Sequence, residues 1–313
     1  MTPEQVVLGS GGVLGDTWMS GVIAGLLDAD GPDLRDAGRF VGTSAGSIVA
    51  TRLAAGEDLR EYLERRFEHR GDGPNRSDES SDTLAGTDLG IASSRLAVPA
   101  SGGLRTAAPA GRLLRRLVLK ALPEGKEELL RLGRTIERIM PEWDPRLSLV
   151  GVNLEQGSRI VMAGGDGAGL SVSEAVRASC AIPGVFRPVE SNLGSIVDGG
   201  VWSPVNLDAV VAKPGSRVFC LYPSGYHGVG AGPRKKAVTG LSRTRVALEA
   251  ATLRSGGARA LAVYPDPAAA LAIGPDRMDH ERGPAVASAG YRQGLSLASG
   301  LERWLESDSV SGP

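Results

Sequence analysis

Cysteine and histidine are scarce in this sequence, with two and three residues respectively among 313. These numbers are too small for a zinc-type cluster of thiolate and imidazole ligands. Both cysteines, Cys180 and Cys220, lie within apolar runs, a context typical of buried free thiols. The sequence therefore predicts neither a disulfide framework nor a metal centre.

Long apolar segments are also missing. No run reaches the roughly 18 apolar residues of a membrane-spanning helix, and Met1–Gln5 lacks the basic start and apolar stretch of a signal peptide. We expect a cytoplasmic protein, with peripheral contact at the inner face of a membrane left open.

An excess of positive charge is the third absence. The chain has 35 basic and 36 acidic residues, for a formal net charge of −1. Nucleic-acid-binding proteins usually carry a strong basic excess, so this class is disfavoured. A hydrophobic content of 42% over 313 residues fits a globular protein with a substantial core.

Strand-like and helix-like segments alternate along the chain. The expected strands are 6–8, a strand ending at 41, 147–152, 159–162, 195–197, 217–221 and 261–264. The expected helices are 16–29, 47–54, 59–69, 111–122, 124–140, 173–179 and 284–305. This alternation predicts an α/β fold with a sheet covered on both faces. Residues 71–82 are polar and turn-rich, so we expect one domain, 1–313, with a cap insertion at about 70–140.

A Gly-Thr-Ser-Ala-Gly run at Gly42–Gly46 is the most informative motif. It has the G-x-S-x-G pattern of a sharp strand-to-helix turn that exposes a serine hydroxyl as a nucleophile. A short apolar strand end precedes it and helix-compatible residues follow it. Ser44 is therefore the candidate nucleophile.

Two further motifs can supply the rest of an acyl-transfer site. The glycine-rich turn Gly9–Gly15 follows a strand and opens a helix, so its backbone N–H groups can converge on a phosphate or an oxyanion. Asp198 ends a short strand before Gly199 and Gly200, and a carboxylate within hydrogen-bond reach can activate a serine directly.

Two alternative interpretations use the same residues. A dinucleotide-binding site needs G-x-G-x-x-G and an acidic residue at the end of the next strand, but the last glycine comes one residue late and that acid is missing. A Ser-Asp-His triad fits the chain order of Ser44, Asp198 and His280. However, that fold places several strands before its nucleophile turn, whereas two precede it here.

Together these motifs resemble the patatin-like phospholipases. The resemblance covers the glycine loop, the elbow around Ser44, the block Ala178–Val189, and the Asp-Gly-Gly motif at Asp198 with the Ser-Pro-Val-Asn sequence that follows. The resemblance is closest over residues 5–55 and 147–210 and weaker elsewhere. It implies a three-layer fold whose central, mostly parallel sheet lies between helices. Two positions differ from the usual family pattern: Ser10 interrupts a run of glycines, and Leu14 stands where many members carry a basic residue.

The resemblance also implies roles for individual residues. Ser44 is expected to be the nucleophile and Asp198 its base, and the oxyanion hole is expected from the amides of Gly11, Gly12 and Val13. The implied activity is hydrolysis of lipid carboxylic esters, of phospholipase A, lysophospholipase or esterase type, without metal or cofactor. A catalytically weak lipid-binding or regulatory protein that keeps the fold is the alternative from a different class.

Residues 111–122 are expected to form a basic amphipathic helix. Its cations are Arg112, Arg115, Arg116 and Lys120, interspersed with leucines. Such a helix can lie on an anionic membrane with its arginines at the headgroups, or pack its leucines on the protein body as part of the cap. No sequence feature indicates the oligomeric state.

Overall fold

The computed structural model describes residues 1–68, 111–123, 125–226 and 233–307, without side-chain detail at 68, 111–114 and 233–238. Seven strands occur in these ranges: β1 (Gln5–Leu8), β2 (Arg39–Thr43), β3 (Leu147–Asn153), β4 (Arg159–Met162), β5 (Ile196–Asp198), β6 (Arg217–Leu221) and β7 (Arg259–Val263). The α-helices of the same ranges are α1 (Gly12–Asp28), α2 (Ala45–Ala54), α3 (Leu59–Glu68), α4 (Gly111–Ala121), α5 (Leu130–Ile139), α6 (Val172–Cys180), α7 (Pro233–Ser255), α8 (Pro267–Ile273) and α9 (Gly283–Glu306).

The strands form one mixed, mostly parallel sheet with the order β4-β3-β2-β1-β6-β7. The pairs β3–β2, β2–β1, β1–β6 and β6–β7 are parallel, whereas β4 and β5 both pair antiparallel with β3. Leu8 at the end of β1 is in register with Gly42 of β2 and Leu221 of β6. The carboxyl ends of the central strands therefore meet at one edge, the position where α/β sheets usually carry their ligand sites.

Helices cover both faces of the sheet. Alternate residues of a strand point to opposite faces, and β1 follows this rule. Val6 and Leu8 join the larger core with α1, α2, α5, α6 and α9, whereas Val7 joins a second core with α7. The predicted α/β class, with a mostly parallel sheet between helix layers, is confirmed.

Helices α1 and α9 pack unusually closely through glycines. A Cβ atom on Gly25 would lie 2.1 Å from the carbonyl oxygen of Tyr291, and one on Gly294 would lie 2.2 Å from that of Val22. The indole Nε1 of Trp18 also donates to Gln293 Oε1 at 2.9 Å. Because α1 begins at the glycine-rich turn, these contacts fix the helix that presents this turn.

The sequence interpretation missed α7 and α8 and placed the start of α1 too late. The buried face of α7 mixes the polar residues Thr239, Ser242 and Glu249 with Val246, Ala250 and Leu253. Because Leu241 and Leu248 are exposed as well, the hydrophobic pattern does not show a clean apolar face. The first turn of α1, Gly12–Gly15, contains two glycines and reads as a loop in isolation.

Most of the predicted cap at 70–140 lies outside the described residues. Its described helices are α4 and α5, and Leu119 of α4 packs with Val152, Val197 and Val201 of the body. The boundaries of the cap remain a prediction. Among the described helices, none combines the length and the apolar character needed to cross a membrane.

Candidate active site

Ser44 occupies a sharp turn between β2 and α2. Its backbone angles are φ 53° and ψ −123°, a conformation rarely adopted by residues other than glycine. Its carbonyl oxygen accepts hydrogen bonds from the amide of Ser47 at 2.7 Å and from Ser47 Oγ at 2.6 Å. The strained turn is thus held by α2 itself, as in nucleophile elbows.

The two glycines of the motif are required by close backbone approaches. A Cβ atom on Gly42 would lie 2.5 Å from Ser47 Cα, and one on Gly46 would lie 2.0 Å from the carbonyl oxygen of Leu8. Any larger residue would push α2 away from β1. The motif therefore places the elbow directly beside the end of β1 and the glycine-rich turn that follows.

Asp198 reaches the elbow from the end of β5. Its Oδ1 accepts the amide of Gly200 at 2.7 Å, and its own amide donates to the carbonyl oxygen of Ala181 at 3.0 Å. A Cβ atom on Gly199 would lie 2.3 Å from the carbonyl oxygen of Val150, so glycine lets this turn approach β3. The carboxylate is thereby held in one orientation.

The hydroxyl of Ser44 donates to Asp198 Oδ2 at 2.8 Å. Both residues are largely buried, with 8% and 6% of their surfaces exposed. His280 lies in a short 3-10 turn, His280–Arg282, where its Nε2 is 3.0 Å from Glu281 Oε1. The Ser44–Asp198 pair thus has the geometry of a serine and its base, with no histidine between the two side chains.

Ser179 and Asn206 support the Ser44–Asp198 pair, although the sequence analysis assigned neither of them a role. The amide of Ser44 donates to Ser179 Oγ at 2.9 Å, and Ser179 Oγ donates to the carbonyl oxygen of Val150 at 2.7 Å. Asn206 Nδ2 lies within hydrogen-bond distance of Thr43 Oγ1 and of the Gly199 carbonyl oxygen, at 3.2 and 3.3 Å. Both residues fall inside the motif blocks quoted above, but a buried serine or asparagine does not reveal its partner in a sequence.

The glycine-rich turn leaves a specific set of amides free. At the start of α1, the amide of Leu14 donates to the carbonyl oxygen of Arg277 at 3.0 Å, and that of Gly15 donates to Gly11. Within the described part of the chain, the amides of Gly11, Gly12 and Val13 donate to no protein atom. Three unused donors at a helix N-terminus form a natural site for negative charge.

This turn lies beside both catalytic candidates. The carbonyl oxygens of Leu8 and Gly9 contact the Gly46 position, and Ser10 Oγ lies 3.6 Å from the point where a Cβ of Gly200 would be. Leu14, which stands where many members of the resembled family carry a basic residue, places no charge in the site. Its side chain is fully buried in the larger core.

Segments far along the chain form the other walls of the turn. Pro223 packs against Gly11 and Gly15, and Met278 packs against Gly12, which adopts φ 65°. Sequence reasoning missed these contacts because they join residues about 210 and 270 positions apart through backbone and apolar atoms.

The two cysteines are buried and free, as predicted. Cys180 Sγ lies 3.6 Å from Ser47 Oγ, behind the elbow. Burial, followed by the negative charge of Asp198, raises the pKa of the Cys180 thiol well above its ordinary range. The thiol therefore remains protonated and is not a competing nucleophile. Among the described residues, no group of three or more potential ligands is arranged to hold a metal ion.

The basic helix α4 does not present all its cations to solvent. Only 2% of Arg115 is exposed; its guanidinium lies 4.2 Å from the ring centroid of Trp202, and Nη1 donates to the Gly157 carbonyl oxygen at 3.0 Å. Burial, followed by the charge of Arg245, lowers its pKa. Arg115 is therefore removed from the predicted membrane-facing set. Arg116 and Lys120 are exposed, and the side chain of Arg112 lies outside the described atoms.

Comparison with known families gives this geometry a context. The profile of the patatin-like phospholipase family matches residues 6–211, about two thirds of the chain. The protein belongs to the patatin-like phospholipase family. This membership confirms the predicted resemblance and implies lipid acyl hydrolase activity, so this patatin-like phospholipase is a hydrolase of carboxylic ester bonds.

Two solved structures are among those similar to this chain. VipD from Legionella pneumophila is 14% identical, with a TM-score of 0.42; the match covers 95% of this chain and 67% of VipD. The type III effector protein ExoU is 15% identical, with a TM-score of 0.34, and the match covers 94% of this chain and 53% of ExoU. No curated protein sequence matches the patatin-like phospholipase described here.

Proposed function

We propose that the protein cleaves lipid carboxylic esters through a Ser44–Asp198 dyad and an acyl-enzyme. The observation that carries the proposal is the 2.8 Å hydrogen bond from Ser44 Oγ to Asp198 Oδ2 at a strained strand-to-helix turn. The free amides of Gly11, Gly12 and Val13 beside this pair support an oxyanion hole.

The residues act in a defined order in this mechanism. Asp198 takes the hydroxyl proton as Ser44 Oγ attacks the ester carbonyl, and the three amides stabilise the oxyanion of the tetrahedral intermediate. Protonated Asp198 then returns the proton to the leaving alcohol or lysolipid. In the second half, Asp198 takes a proton from water, which attacks the acyl-Ser44 carbonyl. Collapse of the second intermediate releases the fatty acid, and protonated Asp198 returns its proton to Ser44 Oγ, which restores both residues.

The substrate class follows from family membership, and the finer preference is part of the proposal. We propose activity of phospholipase A, lysophospholipase or esterase type, which requires no metal because the amides and Asp198 supply the charge stabilisation and the base. The alternative is a lipid-binding or regulatory protein of the same fold whose dyad turns over poorly.

A fluorophosphonate probe separates these two functions. It should label the wild-type protein covalently at Ser44, and Ser44→Ala should remain unlabelled. Purified wild-type protein assayed with phospholipid, lysophospholipid and p-nitrophenyl ester panels should release fatty acid from at least one of them. Folded wild-type protein that resists the probe and hydrolyses none of these substrates would contradict the enzyme and favour the lipid-binding alternative.

The exposed face of α4 is our proposed site of contact with an anionic membrane. Leu117 is 56% exposed between the exposed cations Arg116 and Lys120. Each surface cation contributes about 1 kcal/mol near an anionic bilayer, so replacing both should weaken binding roughly 30-fold at low salt. Vesicle co-sedimentation of Arg116→Gln/Lys120→Gln measures this effect. Replacing the exposed Arg131 and Arg134 of α5 with glutamine is the matched control, and equal loss in both variants would contradict a specific role for α4.

A further inference from the structure

The peptide bond between Ser10 and Gly11 is held on one side by a residue outside the matched family region. Ser224 Oγ donates to the carbonyl oxygen of Ser10 at 2.6 Å. Only 3% of Ser224 and 4% of Ser10 are exposed. The amide of Ser10 also donates to the Pro204 carbonyl oxygen at 2.7 Å, so Ser10 is anchored at both of its backbone polar groups.

The orientation of this carbonyl determines the direction of the Gly11 amide. The Ser10–Gly11 bond is trans, and the C=O and N–H of a trans peptide point to opposite sides of the chain. While the carbonyl points to Ser224, the Gly11 N–H points away from it. That N–H is one of the three amides without a protein acceptor.

Without this hydrogen bond, little in the local sequence would select one orientation. Gly11 has no Cβ, so sterics alone permit the peptide to rotate. If the Gly11 amide donates to the oxyanion, a rotated peptide would direct the Ser10 carbonyl oxygen toward it instead, and the partial negative charge of that oxygen would repel the oxyanion. A hydrogen bond to the carbonyl also polarises the peptide and strengthens its N–H as a donor.

We propose that Ser224 is a positioning residue of the oxyanion hole, which orients the Gly11 amide through the Ser10 carbonyl. The proposal rests on the proposed function, since it needs Gly11 to donate to the oxyanion. Ser224 lies in the short 3-10 turn Pro223–Gly225 immediately after β6. Because β6 pairs with β1, the two turns that follow these strands meet at the same sheet edge.

The turn that carries Ser224 is itself well fixed. The amide of Tyr222 donates to the Val263 carbonyl oxygen at 2.9 Å, and that of Gly225 donates to Tyr222 at 3.1 Å. The rings of Tyr222 and Tyr264 pack edge to face with centroids 5.6 Å apart. Ser224 therefore presents its hydroxyl from a rigid support, as a positioning residue must.

The test compares Ser224→Ala with wild type in steady-state hydrolysis of a p-nitrophenyl ester. Loss of one oxyanion donor typically costs about 10²–10³ in kcat, and we expect a misoriented donor to cost about 10- to 100-fold, with KM unchanged. Affinity for an alkyl trifluoromethyl ketone, which forms an oxyanion on Ser44, should fall by the same factor. Affinity for an ether analogue that lacks the carbonyl should not change.

Ser173→Ala is the matched control, because Ser173 Oγ also donates to a backbone carbonyl oxygen, that of Gly133, at 2.8 Å. It should keep wild-type kcat and ketone affinity. If Ser224→Ala does not fold, Ser224→Cys, whose thiol is a weaker donor, should lower kcat and ketone affinity together.

Wild-type kcat and ketone affinity in the folded Ser224 variants would overturn the inference. An equal loss of affinity for the ether analogue would also overturn it, because a general distortion would then explain the effect. If wild-type protein itself neither hydrolyses esters nor reacts with fluorophosphonate, the proposed function fails before Ser224 is tested.

Discussion

Ser44 has a backbone conformation that costs about 1–3 kcal/mol for a residue other than glycine. Its surroundings maintain that conformation: the amide is held by Ser179, the carbonyl by Ser47, and the hydroxyl by Asp198. Each backbone polar group of the strained residue has a partner. These hydrogen bonds keep Ser44 from relaxing into the helical conformation of α2, so its hydroxyl stays directed at Asp198.

The buried hydroxyl of Tyr62 affects the stability of the protein at high pH. The hydroxyl of Tyr62 donates to Asp16 Oδ2 at 2.9 Å and accepts from Arg66 Nη1 at 2.6 Å, while Arg66 also forms an ion pair with Asp16. Burial raises the pKa of Tyr62 from 10.0 to about 12. The neutral phenol is therefore favoured in the folded state.

The sign of the resulting pH dependence follows from the raised pKa. The stabilisation is fully present below pH 10, where the unfolded tyrosine is still protonated, and is lost as the pH rises from 10 toward 12. A shift of about two pKa units corresponds to about 2–3 kcal/mol. We predict that the free energy of unfolding of wild type, relative to Tyr62→Phe, falls by this amount over that range. Urea unfolding at several pH values measures it, and a constant difference would contradict the prediction.

Helix α1 connects fold and site at the scale of elements, because its N-terminus carries the free amides and its body packs on α9. Replacing Gly25 with alanine would place a Cβ 2.1 Å from the Tyr291 carbonyl oxygen, and the two helices would have to separate. Overpacking of this kind typically costs about 1–3 kcal/mol. We predict that Gly25→Ala destabilises the protein by at least this amount and lowers kcat.

A matched control exists on α9. No atom lies within 4 Å of a Cβ added to Gly300, which is exposed. Alanine is favoured over glycine in a helix by about 0.5–1 kcal/mol, so Gly300→Ala should stabilise the protein slightly and leave kcat unchanged. Chemical unfolding and ester hydrolysis of both variants test the pair, and similar behaviour of the two would refute the close-packing argument.

Helix α7 illustrates what sequence patterns do not reveal about elements. Its buried Glu249 accepts the amide of Leu207 at 3.0 Å and Nε of Arg245 at 2.8 Å, and burial raises the pKa of this carboxyl group. The helix thus buries a carboxylate that a tertiary contact satisfies, and it exposes leucines. Its buried face carries Val246, Ala250 and Leu253 beside this carboxylate, and this mixture together with the exposed leucines obscures the apolar periodicity of the helix.

At the scale of the whole molecule, the sheet depends on strands beyond the matched family region. That region ends at residue 211, whereas β6 and β7 lie after it and β6 pairs directly with the central strand β1. A chain of residues 1–211 would also lose α9, the partner of α1. We predict that this fragment shows no cooperative thermal unfolding by circular dichroism, whereas the full chain does. A cooperative transition in the fragment would contradict the prediction.

The sequence predicted the parts of the site that are encoded locally. Gly42 and Gly46 flank Ser44 in one short motif and Gly199 follows Asp198 in another, so the positions of Ser44 and Asp198 could be recognised from these motifs. The support from Ser224 and Arg277 could not be recognised, because it joins distant segments through single hydrogen bonds to backbone atoms. Such contacts follow from strand order, which the motifs do not determine.

The central claim is that Ser44 works with Asp198 and without a histidine, and the kcat/KM of Asp198→Asn in ester hydrolysis tests it most directly. A general base contributes about 10²–10⁴-fold. The variant keeps the shape of the side chain, so it should remain folded and lose at least this factor, while His280→Ala keeps wild-type kcat/KM. Full activity of folded Asp198→Asn would contradict the dyad, and loss of activity in folded His280→Ala would contradict it in favour of the Ser44–Asp198–His280 triad.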